Sequence, residues 1–252
     1  MFFLIGIGLK AEHLTLEALA TAKKCSKVFL ESYTSQWPSW KASELEKLIG
    51  KQVTVLGRKH IEEHFTGTLE EAKSRDIALL VPGNPLTATT HVQLLLDAKN
   101  AGVAFSFVPG ISITDFLGST GLDAYRFGRI VTIVAPKENY EPESFYGMIE
   151  ANKKLNVHTL CLLEFDAENG FFMRVQDAVK ILEAIEAKKK KSVVKNSLLV
   201  GLYGVGGEEQ KILAGNAIAL KEHVSNAVPQ SLIVCAELNE KEKEAVRELA
   251  LK

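Results

Sequence analysis

The sequence predicts an α/β fold in two lobes, and three observations predict it. Short apolar runs alternate with helical stretches, and glycine or proline loops close the runs, which is the order of a mostly parallel sheet covered by helices. A β-branched strand begins a second half at Ile130, of mixed strand and helix pattern, after an irregular interval at 111–129, which places the connection between lobes in that interval. Neither a short-period repeat nor a low-complexity linker interrupts the chain, so the lobes are expected to be closely joined.

Residues 2–7 form the first apolar run, closed by Gly6 and Gly8. The helix that follows places Leu16, Leu19, Ala20 and Lys23 on one face, with Thr15 as its N-cap. Residues 28–30 read as a buried strand that enters a polar-aromatic loop at 31–40, too rich in exposed-type atoms to be a simple turn. A short helix at 45–49 stops at Gly50, and a strand at 53–56, a helix at 62–73 and a strand at 77–81 follow. Another helix at 89–101 ends near Gly102, and residues 103–108 supply a strand with Pro109 and Gly110 just beyond it. The second half opens on a strand at 130–135 and a helix at 142–153, whose Pro142 is tolerated in the opening turn. Segments 158–165, 175–187, 197–203 and 231–235 continue the mixed pattern, with 175–187 helical, and 240–251 suits an amphipathic terminal helix.

Composition excludes several function classes. Hydrophobic residues make up 46% and charged residues 24% of the 252, the balance of an ordinary globular chain. Thirty basic side chains against thirty-one acidic ones leave a formal charge of -1, so no global field draws in a phosphate backbone and no nucleic-acid partner is expected. The densest basic run, at 188–191, follows a helix and reads as an end cluster opposing the negative pole of its dipole. Cys25, Cys161 and Cys235 are too few and too scattered for a disulfide framework or paired zinc ligands, and no metal is expected. The apolar start at 1–9 is short, lacks a basic leader and contains two glycines. No later segment approaches ~18 consecutive apolar residues, so a cytoplasmic protein without a membrane span is the simplest reading.

Three loops at strand ends could hold a ligand. Gly6-Ile7-Gly8 follows the first strand and lets a backbone approach closely, yet Ala11 stands where a dinucleotide fingerprint needs its third glycine. No GxxxxGK[ST] motif is present, so a phosphate loop of that type is excluded. The second loop, PGNPLTATTH at 82–91, lies between a strand and a helix, where open α/β sheets place ligands, and its threonines could help hold a polar nucleoside. The same loop could equally be a well-capped crossover turn. Pro109-Gly110-Ile111-Ser112 is the third, and three such turns can converge on one cleft. His91 could act in catalysis or simply cap and pack, Tyr33 could shape an acceptor opening or fill a core, and Tyr125, Phe127 and His158 read as packing residues.

Specific motifs then emerge in order: MFFLIGIGL at the start, LESYTS at 30–35, PGNPLTATTH, GLDAYRFG at 121–128, PESFY at 142–146, VHTLCLLEF at 157–165, LLVGLYGVGGEEQKILAG at 198–215 and PQSLIV at 229–234. Over nearly its whole length the chain thereby resembles the diphthine synthases, of the tetrapyrrole-methylase-like class. That resemblance implies a tetrapyrrole-methylase-like fold of two α/β lobes, at 1–111 and 112–252, with a cofactor cleft between them and S-adenosyl-L-methionine as cofactor. It implies cofactor contacts at Leu9, Asn84, Thr87, Ser112, Ile113, Leu163, Tyr203 and Gln230, and it assigns no catalytic residue. It also implies a homodimer, with elongation factor 2 as protein substrate, methylated on the amino group of a 3-amino-3-carboxypropyl-histidine in diphthamide biosynthesis. The sequence departs from the family pattern at GNP in place of GDP, at Tyr203-Gly204 in place of alanine-arginine, and at Gln230 in place of histidine. A methyltransferase for tetrapyrroles or another small acceptor, or a non-catalytic binding relative, are the alternative readings.

Overall fold

The computed structural model describes residues 1–35, 42–167 and 169–250. Two compact units, Met1–Ile113 and Thr114–Lys252, each carry a sheet.

The first unit is built on β1 (Phe2–Gly6), β2 (Lys27–Glu31), β3 (Val53–Leu56), β4 (Ile77–Val81) and β5 (Phe105–Val108), in the order β3-β2-β4-β1-β5. All its pairings are parallel, as expected, and all five residues of β4 are buried, the continuous apolar run that a strand covered on both faces requires. The helix α1 (Leu16–Lys24) starts where the sequence places it: the Ala18 N–H donates to Thr15 Oγ1 at 3.0 Å. The helix α2 (Ala42–Ile49) ends on Gly50 at φ +75°, and the core gathers Ile5, Ile7, Leu45, Ile49, Leu80 and Val108.

Two expectations change here. The single helix at 62–73 is two short ones, α3 (Arg58–Glu63) and α4 (Thr66–Glu71), because Phe65 between them turns inward onto Phe2 with ring centroids 5.5 Å apart. The helix foreseen from residue 89 begins later, as α5 (Val92–Asn100), since Ala88 sits at φ +56° and Thr89 turns its hydroxyl back to the Pro85 carbonyl. The polar-aromatic loop foreseen at 31–40 has its first residue at the end of β2, and its residues 36–40 lie outside the described residues.

The interval after β5 is mostly 3₁₀ turn, at Ile113–Thr120 and Ala124–Arg126. The second unit then forms β6 (Val131–Ile133), α6 (Ser144–Lys154), β7 (Thr159–Leu163), a small hairpin of β8 (Phe165–Asp166) and β9 (Phe171–Phe172), and α7 (Val175–Lys189). There follow β10 (Leu199–Tyr203), β11 (Lys211–Gly215), α8 (Ala217–Glu222), β12 (Gln230–Val234) and α9 (Glu240–Arg247). The sheet order is β11-β10-β12-β7-β6, and only the β6–β7 pair is parallel. The parallel order of the first sheet is thus not repeated in this half, whose sequence read only as mixed strand and helix: the glycine-rich link after Tyr203 is short enough to return the chain as a hairpin, whereas a parallel return needs a dozen or more residues.

The basic run at 188–191 ends α7 with Lys190 in the left-handed region, and its neighbours are paired: Lys188 and Lys189 with Glu143, and Lys191 with Glu150 at 2.6 Å. A second polar cluster fixes α9. Asn239 and Glu242 form a reciprocal capping box, and Glu242 also accepts from His158 Nε2 at 3.0 Å, from the Asp123 N–H at 3.0 Å and from Arg126. The Ala236 N–H donates to His158 Nδ1 at 3.0 Å, so the buried ring is used on both nitrogens as a core histidine. Phe127 packs on that ring with centroids 5.3 Å apart, but Tyr125, foreseen as a packing residue, is 97% exposed.

Among the described residues no helix is long and apolar enough to cross a membrane. Cys25, Cys161 and Cys235 are all free and buried.

Candidate functional site

The three strand-end turns of the first unit converge. Beyond β1 and β4 the Gly83 N–H donates to the Gly8 carbonyl at 2.8 Å and the Gly8 N–H to the Gly83 carbonyl at 3.2 Å. Gly110, after β5, closes on both: a Cβ placed there would meet the Gly83 carbonyl oxygen and lie 2.7 Å from the Gly6 carbonyl carbon. A Cβ at Gly6 would in turn sit 2.5 Å from the Gly110 nitrogen. Backbone meets backbone at this point, so glycine is a spatial requirement at 6 and 110. Gly83 differs. At φ +72° it needs glycine conformationally, while a Cβ there would meet only Leu9 Cδ2 at 3.8 Å and the Ile111 carbonyl at 4.0 Å, both ordinary contacts. Its open face is thus bounded by the Leu9 side chain and the residue before Ser112.

The second loop is a sequence of local turns. The Leu86 N–H donates to Asn84 Oδ1 at 3.1 Å and the Thr87 N–H to the Asn84 carbonyl at 3.0 Å, an arrangement that aspartate or asparagine can make and that the GNP departure preserves. Asn84 and Thr87 are half-buried, as is Ile113, and Ser112 is buried. At the far end of the loop, buried His91 contacts the Pro85 carbonyl through Nδ1 at 3.3 Å, and its N–H reaches Thr89 Oγ1 at 3.3 Å. Burial holds its ring below the ordinary histidine range, so it is neutral near neutral pH.

Beside His91 stands Glu31, an acid at the end of a buried strand that sequence reasoning left unassigned. Its carboxylate accepts from the Tyr33 N–H, the Thr34 N–H and the Thr34 hydroxyl, folding the chain back on itself after β2. Burial raises its pKa, against the lowering pull of those bonds and of Arg58. The signal available in the sequence was a glutamate directly after the apolar Val28, Phe29 and Leu30, where a buried acid needs dedicated donors.

In the second unit Tyr203 and Gln230 face each other across the β10–β12 ladder, and Leu163 ends β7, one strand further on. Gln230 spends its amide internally: Oε1 accepts from the Val175 N–H at 2.9 Å, and Nε2 donates to the Ser225 and Ala227 carbonyls at 3.0 and 2.9 Å. It thereby holds the start of α7 and the turn before β12. Tyr203 lies in the core over Gly201, edge-on to His223 with centroids 5.0 Å apart, and its hydroxyl and His223 Nε2 are buried without partners.

Comparisons with known proteins agree with this architecture. The family model for tetrapyrrole (corrin/porphyrin) methylases matches residues 1–220. The chain is 33% identical over 251 residues to a diphthine synthase of Methanococcus aeolicus, covering 99% of this chain and 98% of that one. It is 34% identical over 253 residues to one of Methanocaldococcus jannaschii, again covering 99% and 98%. A crystal structure of diphthine synthase superposes with a TM-score of 0.88 at 30% identity, covering 99% of this chain and 96% of that one. The fold, the converging glycine turns and similarity along the whole length place the chain in the tetrapyrrole methylase family, among the diphthine synthases.

Proposed function

We propose that the chain is an S-adenosyl-L-methionine-dependent diphthine synthase, which methylates the amino group of 3-amino-3-carboxypropyl-histidine on elongation factor 2. The observation that carries this reading is the similarity to diphthine synthases over 99% of the chain. What supports the cofactor reading in the first unit is the meeting of glycine backbone at 6, 8, 83 and 110, with the Leu9 side chain and the Ile111 carbonyl, an acceptor, beside Gly83. Bound there, the cofactor would supply an electrophilic methyl carbon on a cationic sulfur. Asn84, Thr87, Ser112 and Ile113 belong to the same turns and would hold it, with no carboxylate at 84 to favour its charge.

By the same resemblance, Leu163, Tyr203 and Gln230 would complete the site from the second unit. Tyr203 and Gln230 would act by shaping their strand ends, since reaching a ligand with either side chain would cost its internal contacts. The acceptor amine must present its lone pair in line with the transferring carbon, so the chain's main task is positioning, which can supply a large part of the barrier reduction. No covalent protein nucleophile is needed. A homodimer in the cytoplasm completes the reading.

The test is incubation with labelled S-adenosyl-L-methionine and elongation factor 2 carrying the amino-carboxypropyl histidine, followed by site-resolved mass spectrometry. Methyl groups on that amino nitrogen are expected. No transfer, under conditions where a diphthine synthase of known activity works, would refute the proposal.

A further inference from the structure

Pro85 offers only a carbonyl to His91 Nδ1, so in the neutral ring that nitrogen carries the proton and Nε2 is left as an acceptor. Nε2 is buried and has no hydrogen-bond partner among the described residues; Glu31 Oε2 lies 4.0 Å away and cannot donate when ionised. An acceptor lone pair left in such a place calls for a donor. His91 lines a cavity of about 270 Å³ with Tyr33, Glu62, Thr90 and Asp97. The Tyr33 hydroxyl is also buried and faces Glu62 without completing a close hydrogen bond among the described residues, and its ring lies 6.0 Å from that of His91. Of the described charged groups, Glu62 and Asp97 line this space, Glu31 lies 4.0 Å from His91 Nε2, and Arg58 rests on the Tyr33 ring and pairs with Glu62 at 3.7 Å.

We infer that this cavity is a subsite for a small ammonium-bearing group, one N–H of which donates to His91 Nε2 while the Glu62 and Asp97 carboxylates balance its charge. The inference deepens the methyl-transfer reading and rests on it for the identity of the ligand, the amino group of the acceptor. In the step this contact would serve, the ammonium N–H bond breaks, an Nε2–H bond forms, and the pair of electrons stays on the amine nitrogen as the nucleophile. His91 becomes an imidazolium beside the Glu31 carboxylate, which takes up the new charge. Burial keeps the His91 ring unprotonated, so that Nε2 is free to accept the N–H, and makes it a weaker base than a free imidazole, so the carboxylate of Glu31 beside it is needed to hold the imidazolium.

The probe is n-butylammonium, titrated into the full-length protein with ¹⁵N-labelled histidine while the His91 Nε2 resonance is followed by NMR; loss of that resonance in His91→Gln assigns it. A saturable shift with butylammonium and none with 1-butanol is expected. Glu62→Gln combined with Asp97→Asn, both away from the packed core, should weaken the apparent affinity at least threefold. An unmoved resonance, an equal response to 1-butanol, or undiminished affinity in the double variant would overturn the inference. Saturable binding without any methyl transfer to elongation factor 2 would leave the subsite standing and remove the proposed reaction; transfer with no butylammonium response would do the reverse.

Discussion

Alanine at position 110 should unfold the first unit far more readily than alanine at position 83, although both glycines sit where the strand-end turns converge. Gly110 does not lie in the left-handed region, so the new side chain carries no torsional penalty. Its Cβ would instead drive into the Gly83 carbonyl oxygen and lie 2.7 and 2.9 Å from the Gly6 carbonyl carbon and Cα. None of these atoms belongs to a side chain that can swing aside. Relief requires the backbone to part, which costs about 1–3 kcal/mol of overpacking strain. Losing the two Gly8–Gly83 hydrogen bonds adds about 0.5–1.5 kcal/mol each, for a total of about 4 kcal/mol. At position 83 the added Cβ makes only ordinary contacts, and the cost is the left-handed conformation, about 1–2 kcal/mol. Urea unfolding followed by circular dichroism would measure both. Gly110→Ala within about 1 kcal/mol of the parent protein, or Gly83→Ala as the more damaging change, would refute the claim that the turns meet backbone to backbone.

Asn84→Asp keeps the turn, since aspartate accepts from the Leu86 N–H equally well, and restores a negative charge to a half-buried site; calorimetry should show S-adenosyl-L-methionine bound up to about fivefold more tightly, the scale of a screened ion pair, with its neutral demethylated product unaffected. Glu242→Gln should destabilise the second unit by about 3 kcal/mol, because it removes the buried charge that receives His158, Arg126 and two backbone N–H groups, and a thermal-melting midpoint equal to the parent's would contradict this. Stability should fall as pH drops below 6.5, the ordinary histidine value, because burial holds His91 and His158 neutral in the folded state and the unfolded chain binds the extra protons. Glu242 adds a further loss below 4.5, its carboxylate being held low, against burial, by its N–H donors and His158; urea midpoints that coincide at pH 7 and pH 5 would contradict the histidine prediction, and a fall in midpoint below pH 4.5 that is the same in Glu242→Gln as in the parent would contradict the second. Burial pushes the Cys25 thiol up to about 11 and that of Cys235 to about 12, and raises Cys161 as well, so a thiol reagent should react with all three only after denaturation.

Local chemistry by itself determined much of this protein. The glycine and proline loops after short apolar runs announced the parallel first sheet, Thr15 marked the start of α1 and Gly50 the stop of α2, and the ordered motifs marked the family. Each of these signals resides in a few neighbouring residues and survives without knowledge of what packs against them. Tertiary structure decided the rest. The break between α3 and α4 depends on Phe65 finding Phe2, and the antiparallel second sheet depends on how β10 and β12 pair across a long interval. Whether Gln230 is a free amide or a tie between α7 and the turn before β12 could not be read from its flanking residues, because its partners at 175, 225 and 227 are set by the chain's return path. The same holds for the site: a glutamate at 31 and a histidine at 91 lie sixty positions apart, and the alignment of β2 beside β4 brings their side chains within 4.0 Å. Sequence specifies which groups can donate, accept or turn; the fold specifies which of them meet, since long-range contacts are made by topology rather than by neighbours.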